Sequence, residues 1–197
     1  LPHACAVAGR LGAAALCLSR LPPASALGLA ADVAGAMGRT GAKPVFVDCN
    51  AISPATANDI AAVIAAAGAP FIDAGIIGMA PDGHGPGPRF YVSGSDTGPM
   101  QALDGMGFQV RAIGTEPGRA SALKMCYAGL TKGTWTLHTA VLLTAEPHGL
   151  SEELRGEFEY RQAPTYAQMQ ARIPGIPADS ERWIGEMEEI ARTFADA

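Results

Sequence analysis

The chain has 197 residues and a formal charge of −5, with a pI near 5.3. That length holds one large domain or two small ones and is enough to bury a real core. A mild acidic excess without blocks of Lys or Arg argues against nucleic acid as the main partner, and no stretch reaches the roughly 18 to 20 uninterrupted apolar residues that a membrane helix needs.

Cys5, Cys17, Cys49 and Cys126 are widely separated and form no C-x-x-C pair. They read as reduced core thiols rather than a disulfide or zinc framework. The N-terminal run ACAVAGRLGAAALCLSRL is apolar with Arg10 inside it, but it lacks the basic start and cleavage site of a secretory leader. A cytoplasmic protein is the expectation. The first residue is Leu rather than Met, which reads as a processed chain or a fragment.

Along the chain, AALCLSRLPP reads as a strand closed by its proline pair. ASALGLAADVAGAMG follows with Leu27, Ala30, Ala31, Ala34 and Met37 at helical spacing, and the pattern places its end at Gly38. PVFVDCN is a short apolar strand of the kind buried on both faces of a parallel sheet. In SPATANDIAAVIAAAG, Ser53 is an N-cap, Pro54 fits the first helical position and Gly68 fits the C-cap. PFIDAGIIG and RFYVSGS are further strands, Gly98 to Met106 a helix or turn, and FQVRAIG a last strand. Beyond Gly118 no strand pattern recurs, and helices are expected at about 119–146, 151–161, 164–173 and 179–196.

This order predicts an α/β region followed by an all-α region, with the boundary at TEPGRA: residues 1–117 and residues 118–197. Ligands of such sheets bind outside the carboxyl ends of the strands. Two segments fall there: DCNAISP, with Asp48, Asn50 and Ser53, and DAGIIGMAPDGHGPGP after PFI, with Asp73, Gly75 and Gly78. Ser53 reads first as a helix cap, while Asn50 fits a turn and a ligand contact equally. The one partial phosphate loop, VAGRLGAA with Gly9 and Gly12, has neither a preceding strand nor an acidic residue at the right distance, and it is set aside.

DCNAISP, FIDAGIIG, RFYVSG, VRAIG and PGRASALKMCYAGLTKG occur in that order. Together, over about residues 14 to 197, they resemble the β-hydroxyacid dehydrogenase superfamily, which includes 3-hydroxyisobutyrate and 6-phosphogluconate dehydrogenases. The likeness is to an uncharacterised, DUF1932-like branch with a distinctive helical C-terminal domain. It implies part of a Rossmann-type parallel sheet, then a helical substrate and dimerisation domain joined through a long interdomain helix. It further implies that the first strands and the glycine loop that grips pyrophosphate lie outside this sequence.

The resemblance implies hydride transfer between NADP or NAD and a small hydroxy-acid-like substrate, in a homodimer formed through the helical domain. Lys124 matches the family's catalytic lysine, near the start of the long helix. Oxidising a hydroxy acid requires a base for the hydroxyl proton, and a partly desolvated lysine serves that purpose. Judged by its surroundings alone, Lys124 would be a helix lysine lying along the surface. Pro22, Asn50 and Ser53 are implied beside the cofactor, and Asp73, Gly75, Ile77, Gly78 and Tyr127 beside the substrate. Ala128 stands where many members carry asparagine, and Ile77 where many carry serine, which points to a different, bulkier or less acidic substrate. Lys132 is assigned to structure or surface.

His84, on the Gly/Pro-rich loop, reads first as solvated. His3, His138 and His148 lack metal-ligand spacing, and Trp135 and Trp183 read as packing. Two rival readings remain: an imine reductase on the same scaffold, and a non-catalytic helical dimerisation module.

Overall fold

The computed structural model describes residues 15–80 and 87–197. Five strands lie side by side in chain order: β1 (Leu16–Ser19), β2 (Val45–Asp48), β3 (Phe71–Ile77), β4 (Arg89–Ser93) and β5 (Gln109–Ala112). β1, β2 and β3 are parallel, and β5 is parallel to β4. β3 and β4 form an antiparallel pair, so the expected parallel sheet turns back on itself once.

Alternation along the strands assigns the two faces. Cys17, Phe46 and Phe71 pack with α1 (Ala26–Thr40) and α2 (Pro54–Ala66), through Ala30, Val33, Met37, Ile60 and Ile64. Val47, Ile72, Ala74, Val92 and Val110 point the other way and meet Met100 of the one-turn helix α3 (Gly98–Gln101). The buried Ala26, Ala30 and Ala36 on α1 let it lie close to the sheet.

Helix ends follow local chemistry. α1 runs past Gly38 to Thr40, because it is Gly41 that takes the left-handed conformation (φ 73°) and returns its N–H to the Met37 carbonyl at 2.9 Å. α2 begins as expected: the Ser53 hydroxyl accepts from the Thr56 N–H at 3.2 Å, with Pro54 at the first helical position. The Gly98–Met106 stretch is helical only over its first four residues.

The helical remainder comprises α4 (Arg119–Ala145), α5 (Ser151–Arg161), α6 (Ala163–Arg172) and α7 (Ile176–Ala195). α7 starts three residues before its expected position, with Pro177 in the first turn, where its missing N–H costs nothing. Contacts divide the described chain into two units: one through Cys126 together with Gly185–Ala197, the other Tyr127–Ile184. In the second, the Trp135 and Trp183 rings meet at 5.4 Å, tilted by 33°, with Lys132 over Trp183 and Arg172 over Trp135. Both tryptophans therefore pack, as expected, and Lys132 serves that packing. Phe158 and Tyr166 add a second ring pair.

In the first unit the start of α4 lies directly on β3 at Gly75. A Cβ there would meet the Ala120 carbonyl oxygen at 2.6 Å and the Lys124 Cβ at 3.0 Å. Only a residue without a side chain permits that approach. Gly75→Ala is expected to lose roughly 2 kcal/mol or more, because the obstacle is helix backbone. Gly133→Ala, in open space on the same helix, is expected to gain about 0.5–1 kcal/mol. Urea unfolding of the two variants measures both, and equal stabilities would remove the close-approach argument.

Candidate active site

The strand register places four small polar residues in one row across the sheet: Ser19 opposite Asp48, Asp48 opposite Asp73, and Asp73 opposite Ser93. All four are buried and share the face that carries α1 and α2. Two buried carboxylates on adjacent strands are costly unless hydrogen-bonded. Here each is bonded, by a different device.

Asp73 serves α4. It accepts from the Ser121 N–H at 3.0 Å, the Ser121 hydroxyl at 2.6 Å and the Ser93 hydroxyl at 3.2 Å, with a further bond from the Gly118 N–H. The Ser93 oxygen in turn accepts the Ala120 N–H at 3.2 Å. Two side chains from neighbouring strands thus satisfy the first amides of the long helix, where a negative charge is favoured. Burial still pushes the Asp73 carboxyl above its ordinary range, against the pull of those bonds. Asp73 and Gly75 lie inside β3, as the reading of PFIDAGIIG as a strand expected, so the ligand-side segment drawn from Asp73 onward begins within the strand. The reason is the pairing with β4, which carries the strand on to Ile77.

Asp48 serves the neighbouring turn. Its two oxygens accept from the Asn50 N–H at 2.9 Å and the Asn50 Nδ2 at 2.8 Å. Nδ2 also donates to Ser19 Oγ, and Asn50 Oδ1 accepts from the Leu21 N–H. Asn50 therefore stitches the carboxyl ends of β1 and β2 together. Burial pushes Asp48 up to about 6, the Asn50 bonds oppose this, and the Asp73 charge adds to it. Burial likewise raises the Cys49 thiol to about 12 and raises Cys17, so both are inert core thiols.

Ser53 is held at the start of α2. Its N–H donates to Glu189 Oε2 at 2.7 Å, as does the Thr56 hydroxyl at 2.8 Å, while Arg192 donates to Thr56 Oγ1 at 3.1 Å. Burial would raise Glu189, but bonds from Ser53 and Thr56 and the Arg192 charge bring it below its ordinary value. The starts of α2 and α4 are thus both filled by carboxylates of the protein itself. Pro22 is exposed in the loop after β1, where its carbonyl accepts from Ser25.

β3 overshoots the row by four residues, and Gly75, Ile76 and Ile77 lie in that extension. Lys124 rises over it, with its Cβ against Gly75, and is partly buried. Gly78 (φ 119°) closes the strand against Pro88. Ile77 is partly buried; Tyr127, one turn on from Lys124, is half-exposed, and Ala128 is buried. The structure thus brings Lys124 to Gly75 but engages Asn50, Ser53 and Asp73 in bonds of its own. His3, His84, Gly9 and Gly12 lie outside the described residues. Among the described residues no cluster of His, Cys, Asp and Glu could hold a metal, and no helix is long and apolar enough to cross a membrane.

Sequence reasoning missed Ser19, Ser93 and Ser121. The available signal was weak: small polar residues at period two from buried strand positions, and a serine three residues before a candidate lysine.

A raised Asp48 predicts a pH signature. The unfolded chain releases this proton near pH 4 and the folded chain only near 6, so stability falls as pH rises through that window. Asp48→Asn is expected to escape this loss, gaining on the parent by on the order of 2 kcal/mol between pH 4 and pH 7. Urea unfolding across that range checks it, and a pH-independent difference would refute the assignment.

Residues 145–197 match the family model described as a domain of unknown function, DUF1932. An uncharacterised 28.5 kDa protein of Methanothermus fervidus is 29% identical over 176 residues, covering 89% of this chain and 66% of its own length. The conserved protein MTH1747, of unknown function, whose structure is reported as similar to 3-hydroxyacid dehydrogenases, superposes with a TM-score of 0.67 at 29% identity. That match covers 91% of this chain and 67% of that one. A 3-hydroxyisobutyrate dehydrogenase from Salmonella typhimurium shares the fold at a TM-score of 0.66 and 19% identity, over 95% of this chain and 69% of its own. The chain spans about two thirds of the length of each.

Proposed function

We propose that the protein is an NADP- or NAD-dependent oxidoreductase of the β-hydroxyacid dehydrogenase type acting on a hydroxy-acid-like substrate, a reading supported by the DUF1932 match and the likeness to MTH1747. Lys124 is its general acid/base. One observation carries this reading: the contact of Lys124 with Gly75, which holds the lysine over the strand extension beyond the carboxyl ends of β1 and β2. That is the side on which ligands of such sheets bind.

Lys124, in its neutral form, takes the hydroxyl proton of the substrate as the carbinol carbon loses hydride; in the reverse direction it returns that proton to the carbonyl oxygen. The nicotinamide, when bound, supplies the hydride acceptor. The described residues fit the nicotinamide end of such a cofactor: Pro22 lies at the carboxyl end of β1, and the Gly75–Gly78 extension at that of β3. The pyrophosphate needs free amides at a helix start, and two of the helices do not offer them. The starts of α2 and α4 are taken by Glu189, and by Asp73 with Ser93. Asn50 and Ser53 act here by shaping the wall rather than by reaching a ligand, since their polar groups are engaged in protein bonds.

The test is a titration with NADH and NADPH followed by turnover of a hydroxy-acid panel. Lys124→Ala is expected to lower kcat by roughly 10²- to 10⁴-fold with cofactor affinity unchanged. Intact turnover in that variant would make the lysine assignment wrong.

The homodimer belongs to the same proposal. Leu123, Leu130 and Leu137 recur at seven-residue spacing and stay exposed along α4, as expected of a helix seam awaiting a partner. Leu130→Glu with Leu137→Glu should convert dimer to monomer in sedimentation, and an unchanged mass would count against this surface.

A further inference from the structure

Ala128, one turn on from Lys124, and Ile77, on the strand extension, offer no polar side chain, so an anionic substrate needs its grip from elsewhere. The antiparallel hairpin offers one. Tyr91 stands opposite Gly75, and Arg111 opposite Tyr91; Arg89 stands opposite both Ile77 and Gln109. Paired residues leave a sheet on the same side, so these side chains share the face on which Lys124 meets Gly75. With strands about 4.8 Å apart, Tyr91 starts one strand from Gly75 and Arg111 roughly 10 Å away.

Their bonds pre-orient them without neutralising them. Arg89 donates from Nε to Gln109 Oε1 at 3.1 Å and from Nη1 to the Tyr91 hydroxyl oxygen at 3.2 Å, with its guanidinium carbon 6.0 Å from the Tyr91 ring centre. Because the Tyr91 oxygen accepts that bond, its own O–H remains available to donate. Arg111 donates to the Val110 carbonyl and faces Asp104 at 3.8 Å, an exposed pair worth little. Arg89 and Arg111 are exposed and Tyr91 is partly so. Arg89 and Tyr91 thus stand on the sheet face that Lys124 meets at Gly75, and the Arg111 guanidinium stands at the outer edge of β5 by the Val110 carbonyl, within side-chain reach of the same face.

We propose that Tyr91, Arg89 and Arg111 form the anion-binding floor of the substrate site and hold the acidic end of the substrate while Lys124 addresses its hydroxyl. The inference rests on the hydroxy-acid reading and deepens it: the substrate carries a negative group on the β4–β5 side of its carbinol. Arginine suits this position because its planar fork pairs with carboxylate or phosphate in two bonds.

The test is calorimetric titration of this chain with 3-hydroxybutyrate against its methyl ester, and with glycerol 3-phosphate against glycerol. At least one acid is expected to bind tenfold or more tightly than its neutral counterpart, and the more favoured pair identifies the carboxylate or phosphate as the group held. The Arg89→Ala/Arg111→Ala double variant should erase that advantage, whereas Arg155→Ala, on α5, should keep it. Equal affinity within both pairs, no binding of any probe, or an advantage that survives the double variant would each overturn the proposal. The result is separable from the lysine test: loss of turnover in Lys124→Ala together with unchanged acid preference in the double variant removes the floor and leaves the base.

Discussion

The buried carboxylate of Asp73 is the constraint on which the rest of this fold is arranged. It sits in the middle of the sheet with no exposure, and it is tolerable there because four donors converge on it from Ser93, Ser121 and Gly118. Three of those donors belong to the start of the long helix. The cost of burying the charge is therefore offset only when the helix is docked in one register. Docking in that register places Ala120 and Lys124 over Gly75, with no room for a side chain between them.

Asp73 and Gly75, two residues apart on one face of one strand, make a single device: the carboxylate draws the helix down and the glycine lets it arrive. Neither needs to touch a ligand for the position of Lys124 to depend on it. On the neighbouring strand the Asp48–Asn50 pair has the corresponding role, fixing the turn that leads to α2. Both devices use residues whose own hydrogen-bonding capacity is already spent within the protein.

What the sequence discloses follows from how far apart the cooperating residues are. Ser53 was readable as a cap because its partner, Thr56, is three residues away and Pro54 marks the start. The strands were readable from short apolar runs, and the change to helices from the loss of those runs after Gly118. Gly38 misled because glycine spacing carries no φ; only the geometry singles out Gly41. Asp73 was readable as a polar group near a strand end but not as a helix fastener, since Ser121 lies 48 positions further along. The row formed by Tyr91 and Arg111 was hidden for a related reason. It exists only in the cross-strand register, which the pairing of β4 with β3 and β5 sets. Lys124 itself rested on resemblance, and its contact with Gly75 is what gives that resemblance a physical setting.

The Glu189 cap on α2 bears on how the molecule is made. The carboxylate that satisfies the start of α2 is 136 positions downstream of Ser53. A nascent chain leaving the ribosome carries α2 long before that group exists, so this helix start waits on water while the sheet assembles around it. Closure of the first unit is then a late, long-range event, slow in the way that distant contacts are slow.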